Sequence, residues 1–375
     1  MNLQNYDLAV RLRHELHMHP ELPNHETWTK ARLMSFLEEH TQLEVVDRGA
    51  WFYAVYRAAP QAPRIAFRAD FDALPLDETI SLPYGSLTPG ISHKCGHDGH
   101  SASLAGFALE ASLLRPHNNL YFIFQHAEET GEGARVCAEL IKEEHIDEVY
   151  GYHNEPGYPL GDVILCDGVM QCASTGMTLS FQGEPAHASD PGIGRSPAPA
   201  IARLISAIPA LTRPEDHRGL VLCTVVHVKI GDPSFGTSPG DGVLCVTLRA
   251  QYEEELHALQ TRLDTLAYCL AAEYDLSYQP AYSDYFPENR NHTRAVQKIV
   301  SVCHRLGIPV HEFPQPKRGS EDFGYYTKAT TGAFFNIGAG AITPHHTLAY
   351  DFPDAIIPVA VDLFKGFAGL DGSSC

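Results

Sequence analysis

Residues 93–125 read HKCGHDGHSASLAGFALEASLLRPHNNLYFIFQ. The run opens with three histidines, a cysteine, an aspartate and two glycines among eight residues. It passes into a segment from about 100 to 114 where Leu104, Phe107, Ala108, Ala111 and Leu114 recur at helical spacing, and it ends in the apolar strand 120–125. A second apolar run at 64–68 precedes it, so the order is strand, helix, strand, which predicts an α/β layer with largely parallel strands.

The pattern extends outward on both sides. Helices are expected at 3–19, closed by Pro20, and at 26–40, with further strands at 51–56, 148–152 and 162–165. After Cys172 the grain changes: strands at 178–182, 221–230, 243–252 and 276–282 alternate with helices at 196–211 and 253–272. This is an α+β pattern of about 110 residues, a usual domain size. A helix at 291–306 and a buried strand at 333–337 then return to the first pattern. The fold class expected is α/β: a mainly parallel sheet flanked by helices in a catalytic domain made of 1–172 plus 285–375, with a smaller α+β lid or dimerisation domain inserted at 173–284.

Composition narrows the function. The 375 residues are 44% hydrophobic and 19% charged, an ordinary globular balance, and the length suits two domains. Lys plus Arg number 27 against 46 for Asp plus Glu, a formal charge of −19 that repels phosphate backbones and anionic lipid. Neither nucleic acid nor membrane is therefore an expected partner. No secretory core opens the chain and no long apolar run interrupts it, so a cytoplasmic location is expected. Nine scattered cysteines do not make a disulfide framework. Cys223, Cys245 and Cys269 sit among apolar neighbours and read as small hydrophobes. Cys95 has no such company.

Cys95 and His97 stand two apart on a glycine-hinged turn at the start of a helix. A thiolate and an imidazole can converge there on a borderline-soft cation such as zinc, helped by a helix terminus that lowers the thiol's pKa. Asp98 could orient an imidazole from behind. The alternative is a histidine-rich polar loop. His126-Ala127-Glu128-Glu129 follows the strand 120–125, and adjacent carboxylates at a strand end point in different directions. One can ligate a metal while the other takes a proton from water; a solvated acidic loop is the bland reading. Asp70 and Asp72, His153, and His345-His346 add ligand types after other strands, where open α/β sheets keep their crevices.

Taken in order, RHELHMHPEL, RADFDALP, HKCGHDGH, QHAEE, GYH, GEPAHASDP, GSEDF, GAFFNIGAG and HHTLAYDF resemble the amidohydrolase branch of the zinc aminoacylase and carboxypeptidase superfamily. That branch includes hippurate hydrolases, auxin-conjugate amidohydrolases and N-acetyldiaminopimelate deacetylases. The resemblance runs from about residue 11 to about 355. It implies that Cys95, His97, Glu129, His153 and His346 hold two divalent ions, that Glu128 is the general base, and that Asp72 supports the ligands. A thiolate favours zinc, with manganese, nickel or cobalt also compatible. His187, in the GEPAHAS segment, is implied to stabilise the oxyanion, from its own chain or from a homodimer partner joined through the inserted domain.

The substrate side departs from the pattern. Relatives often carry an Asn where this chain has Phe235-Gly236-Thr237-Ser238-Pro239, although Arg249 is present, and Arg195 follows a glycine where an aspartate is common. Arg195 could grip a carboxylate or pair with a surface acid. Glu321 and Asp322 match a pocket-lining segment and could also cap the helix after them.

These features predict a metal-dependent amidohydrolase acting on N-acyl amino acids or similar small amides. The alternatives are a silent relative that only binds a conjugate, a dipeptidase or metallo-carboxypeptidase, and a regulator working through the Cys95 thiol.

Overall fold

The computed structural model describes residues 1–370, and Cys375 lies outside the described residues. It contains two units. The first comprises Met1–Met170, Asn289–Gln315 and Asp322–Cys375; the second comprises Gln171–Glu288 and Pro316–Glu321. The sequence parse set 316–321 with the first pattern. The backbone instead ties this segment to the second unit, through Cys172 N donating to Lys317 O at 3.1 Å and a parallel bridge between Gln171 and Lys317.

The first unit is built on an eight-stranded, mostly parallel sheet. Its strand order is Glu44–Asp47, Phe52–Tyr56, Asn119–Gln125, Arg64–Asp70, Glu148–Glu155, Thr331–Gly338, Val163–Leu165 and Val310–Glu312. Arg64–Asp70 runs parallel to both Asn119–Gln125 and Glu148–Glu155, which in turn runs parallel to Thr331–Gly338. The Glu44–Asp47 and Phe52–Tyr56 strands join antiparallel at one side.

Both faces of the sheet are covered. Phe52, Ala54, Ile65 and Phe67 pack with Leu12, Leu33, Leu104, Ile299 and Phe364 from helices on one face, while their neighbours Tyr53, Val55 and Ala66 pack with Ala134, Leu140 and Tyr326 on the other. Period-2 alternation thus sorts one strand's side chains into two cores.

The helix Thr27–His40 and the long helix Leu3–Met18 begin close to their expected positions. The helix expected from about 100 begins at His97 and ends at Leu114. Gly96, in the left-handed conformation at φ 103°, turns the chain into it. Every residue from His97 to Ala111 is buried, so this is an interior helix rather than an amphipathic one.

The second unit is a four-stranded antiparallel sheet in the order Val221–Ile230, Asp241–Ala250, Ala173–Gln182, Ser277–Phe286, with helices Ala198–Leu211 and Glu253–Glu273. Leu244, Val246 and Leu248 face a core shared with Leu204, Leu256 and Leu263. Among the described residues no helix is long and apolar enough to cross a membrane. The eight described cysteines are free. Contrary to expectation, Cys269 is exposed and Cys223 and Cys245 are half-buried, whereas Cys95, in polar company, is buried.

Candidate metal centre

Three parallel strands deliver the site. Asp72 lies just beyond Arg64–Asp70, His126 to Glu129 lie just beyond Asn119–Gln125, and His153 is carried by Glu148–Glu155. Cys95 and His97 enter from the N-terminus of the buried helix, and His346 comes from the loop after Thr331–Gly338. All belong to the first unit.

His97 is fixed from one side and open on the other. Its Nδ1 lies 3.0 Å from the Asp72 carbonyl and 3.1 Å from Asp72 Oδ1. Its buried Nε2 has no hydrogen-bond partner and stands 3.7 Å from Glu129 Oε1 and 3.8 Å from Glu128 Oε2. His153 donates Nδ1–H to the Asn154 carbonyl at 2.8 Å, which leaves its Nε2 lone pair 3.3 Å from Cys95 Sγ. His346 Nε2 lies 3.5 Å from Glu129 Oε1, whose buried atom also lacks a hydrogen bond.

The ligand atoms of Cys95, His97 and His153, of Cys95, Glu129 and His346, and of His97, Glu128 and Glu129 each converge within 4.8 Å. Separations of 3.5–3.8 Å are too long for hydrogen bonds. They suit donors that each sit about 2.1 Å from one shared ion and hence roughly 3–4 Å apart.

Electrostatics also favours a cation here. Burial alone would lower His97, yet Asp70, Asp72 and Glu129 push it up to about 10. Burial, then Glu129 and Glu128, raise the Cys95 thiol well above its ordinary range. Burial, and after it the surrounding carboxylates, thus work against the lowering that a helix terminus gives a thiol. Thiolate ligation needs a cation to offset them.

Asp72 touches two of the candidate ligands: its Oδ1 meets His97, and its Oδ2 accepts from the Glu129 amide at 2.9 Å. Asp98 is not behind a ligand imidazole. It is fully buried and pairs with His17 Nδ1 at 2.8 Å and Arg13 Nη1 at 3.2 Å, because the first turn of the helix turns it toward Leu3–Met18.

The Asp322 side chain does not cap the helix Gly324–Ala329 that follows it; it accepts from the first turn of the helix Gly133–Cys137 instead. It is buried among Arg68 Nη2 at 2.8 Å, Gln125 Nε2 at 2.8 Å and the Ala134 amide at 2.8 Å. Glu321 is buried.

Glu321 and three further candidates lie in the second unit. Arg195 gives its terminal nitrogens to Glu184 and Asp275, each at 2.8 Å, so it takes the surface-pairing alternative rather than offering a free fork. Arg249 Nη1 contacts the Arg318 carbonyl and Ser320 Oγ. His187 is exposed, and its Nδ1 accepts from the Ser189 amide at 3.2 Å and from Ser189 Oγ at 2.7 Å, which leaves the proton on Nε2.

Sequence reading gave no role to His100 or Asn154 and offered Asp70 only as a ligand type at a strand end. His100 Nδ1 meets Asp70 Oδ1 at 2.7 Å, and its Nε2 meets Asn154 Oδ1 at 2.8 Å. Their only sequence signal is their place in the ligand-bearing motifs.

Comparison with known proteins places this geometry. The pattern of Peptidase family M20/M25/M40 matches residues 66–369. The chain belongs to that family. It is 28% identical over 366 residues to an N-acetylcysteine deacetylase of Bacillus subtilis, covering 96% of this chain and 95% of the relative. It is 29% identical over 361 residues to an N-acetyl-L-cysteine deacetylase of the same organism, covering 95% and 86%. A Bacillus subtilis crystal structure described as a dinuclear metal binding peptidase superposes with a TM-score of 0.83 at 26% identity, covering 98% of each chain. The protein is a metal-dependent amide hydrolase of this family, with a site suited to divalent metal.

Proposed function

We propose that the protein removes the acyl group from N-acyl amino acids at a pair of divalent ions held by Cys95, His97, Glu129, His153 and His346, with zinc favoured by the thiolate. The observation that carries this reading is the buried, partnerless His97 Nε2 facing Glu128 and Glu129, while its Nδ1 is locked by Asp72. Such ions, when bound, lower the pKa of water and polarise the scissile carbonyl.

Glu128 takes the proton from the attacking water on a carboxylate oxygen and returns it to the departing amine. Its place directly after a strand, at the edge of the ligand set, supports that role. His187 supplies a hydrogen bond to the developing oxyanion. The fixed Nε2–H tautomer and the GEPAHAS motif support this assignment.

In this reading the first unit is the catalytic domain and the second the lid and dimerisation domain of a cytoplasmic homodimer. Arg249 and Glu321 are the substrate-contacting candidates that remain, Arg195 being engaged by surface acids.

Amine release from N-acetyl, N-benzoyl and indoleacetyl amino acids, measured with and without added zinc, manganese or cobalt, tests the proposal. Metal-dependent release from one acyl class is expected. Release from short unblocked peptides alone would favour the dipeptidase alternative, and release from none would contradict the proposal.

A further inference from the structure

Lys94 stands next to the Cys95 thiol, and the proposed chemistry makes no use of it. Its side chain is fully buried. An ammonium costs several kcal/mol to bury unless it is paired and hydrogen-bonded, so its partners matter. One is the Glu78 carboxylate, in a direct ion pair. The other is the Tyr350 carbonyl, 2.8 Å from Nζ. The main chain of the same residue also acts: Lys94 O accepts the His346 amide proton at 2.8 Å.

One residue thus holds both ends of the turn 346–350. Within that turn the Tyr350 amide donates to Thr347 O at 3.1 Å, and Leu348 O accepts from the Thr79 amide at 3.0 Å, beside Glu78. His346 itself sits at φ 57°, a left-handed conformation that is strained for a residue with a side chain. Its side chain is 52% exposed. A strained, half-exposed imidazole keeps its place only where neighbouring structure fixes the backbone.

We propose that Lys94 is a positioning residue: by clamping the turn 346–350 it holds the His346 imidazole beside Cys95 and Glu129. The inference rests on the reading of His346 as a metal ligand. It couples two ligands of one group, since the residue that clamps the His346 turn is covalently joined to Cys95.

The test is metal binding, not turnover. Purified Lys94→Met and His346→Ala, stripped with chelator, are titrated with zinc and with cobalt, whose visible absorption reports the ligand set. Far-UV circular dichroism serves as the fold control.

Lys94→Met is expected to weaken one of two ions by roughly 10–100-fold and to change the cobalt spectrum as His346→Ala does, with the other ion retained. If His346→Ala weakens an ion and Lys94→Met does not, the clamp is wrong while the ligand assignment stands. If His346→Ala changes neither affinity nor spectrum, the ligand assignment fails and the clamp with it. Should Lys94→Met not fold, Glu78→Gln decides, because it removes the ammonium's charge partner and leaves the Tyr350 contact. A smaller loss at the same ion is expected, and unchanged affinity overturns the clamp.

Discussion

Asp72 Oδ1 lies 3.1 Å from His97 Nδ1, and Asp72 Oδ2 accepts the Glu129 amide at 2.9 Å. One carboxylate therefore sets the tautomer of one candidate ligand and the backbone of another. Replacing it removes both side-chain contacts and leaves His97 Nδ1 only the main-chain carbonyl of residue 72, at 3.0 Å.

Asp72→Ala should accordingly lower metal affinity by roughly 10–100-fold, the usual effect of losing a group that orients ligands. Zinc titration of the chelator-stripped variant measures it, and excess metal should restore part of the activity. Wild-type affinity would show that His97 and Glu129 are held by other contacts.

Gly96 is a separate point of sensitivity. At φ 103° a Cβ would stand 2.6 Å from Asn154 Oδ1 and 2.6 Å from Tyr350 Oη, both buried. Gly96→Ala should destabilise the fold by about 1–3 kcal/mol through left-handed strain and overpacking, and should reduce bound metal, since the residue joins Cys95 to His97. Thermal unfolding and metal analysis on one preparation check both effects.

The pH dependence of stability follows from His17. Burial by itself would lower its imidazole, but Asp98 at 2.8 Å and Glu78 at 2.9 Å, one on each ring nitrogen, push it up to about 9 from 6.5. A group raised in the folded state stabilises fully below its unfolded value and loses that contribution as pH climbs through the folded one. Stability should therefore fall between about pH 6.5 and 9, by at most about 3 kcal/mol from this residue. Denaturant unfolding of His17→Gln across that window should show a flatter profile, and a slope equal to wild type would assign the loss to other groups.

Much of this architecture was legible because the sheet strands are buried on both faces and read as short apolar runs between turn residues. The ligand-bearing segments stood out because His, Cys and Glu gathered at strand ends. The start of the His97–Leu114 helix was not legible: HDGH has no apolar stripe, and only the left-handed Gly96 shows where the turn ends. The exposed edge strand Glu44–Asp47 likewise carries no clear period. The roles of Asp98, Asp322 and Lys94 escaped for a different reason. Their partners Arg13, Arg68 and Tyr350 are 85, 254 and 256 residues away in sequence, so tertiary packing alone decides whether each acid or amine meets a ligand, a helix end or another charge.

The most direct measurement is bound metal and turnover together in Glu128→Gln, assayed on whichever acyl amino acid the wild-type enzyme cleaves best. The amide keeps the size of the side chain but cannot hold the proton. Metal content should match wild type while kcat falls by roughly 10²–10⁴-fold. Unchanged turnover at unchanged metal content would contradict Glu128 as the base and, with it, the proposed chemistry of this site.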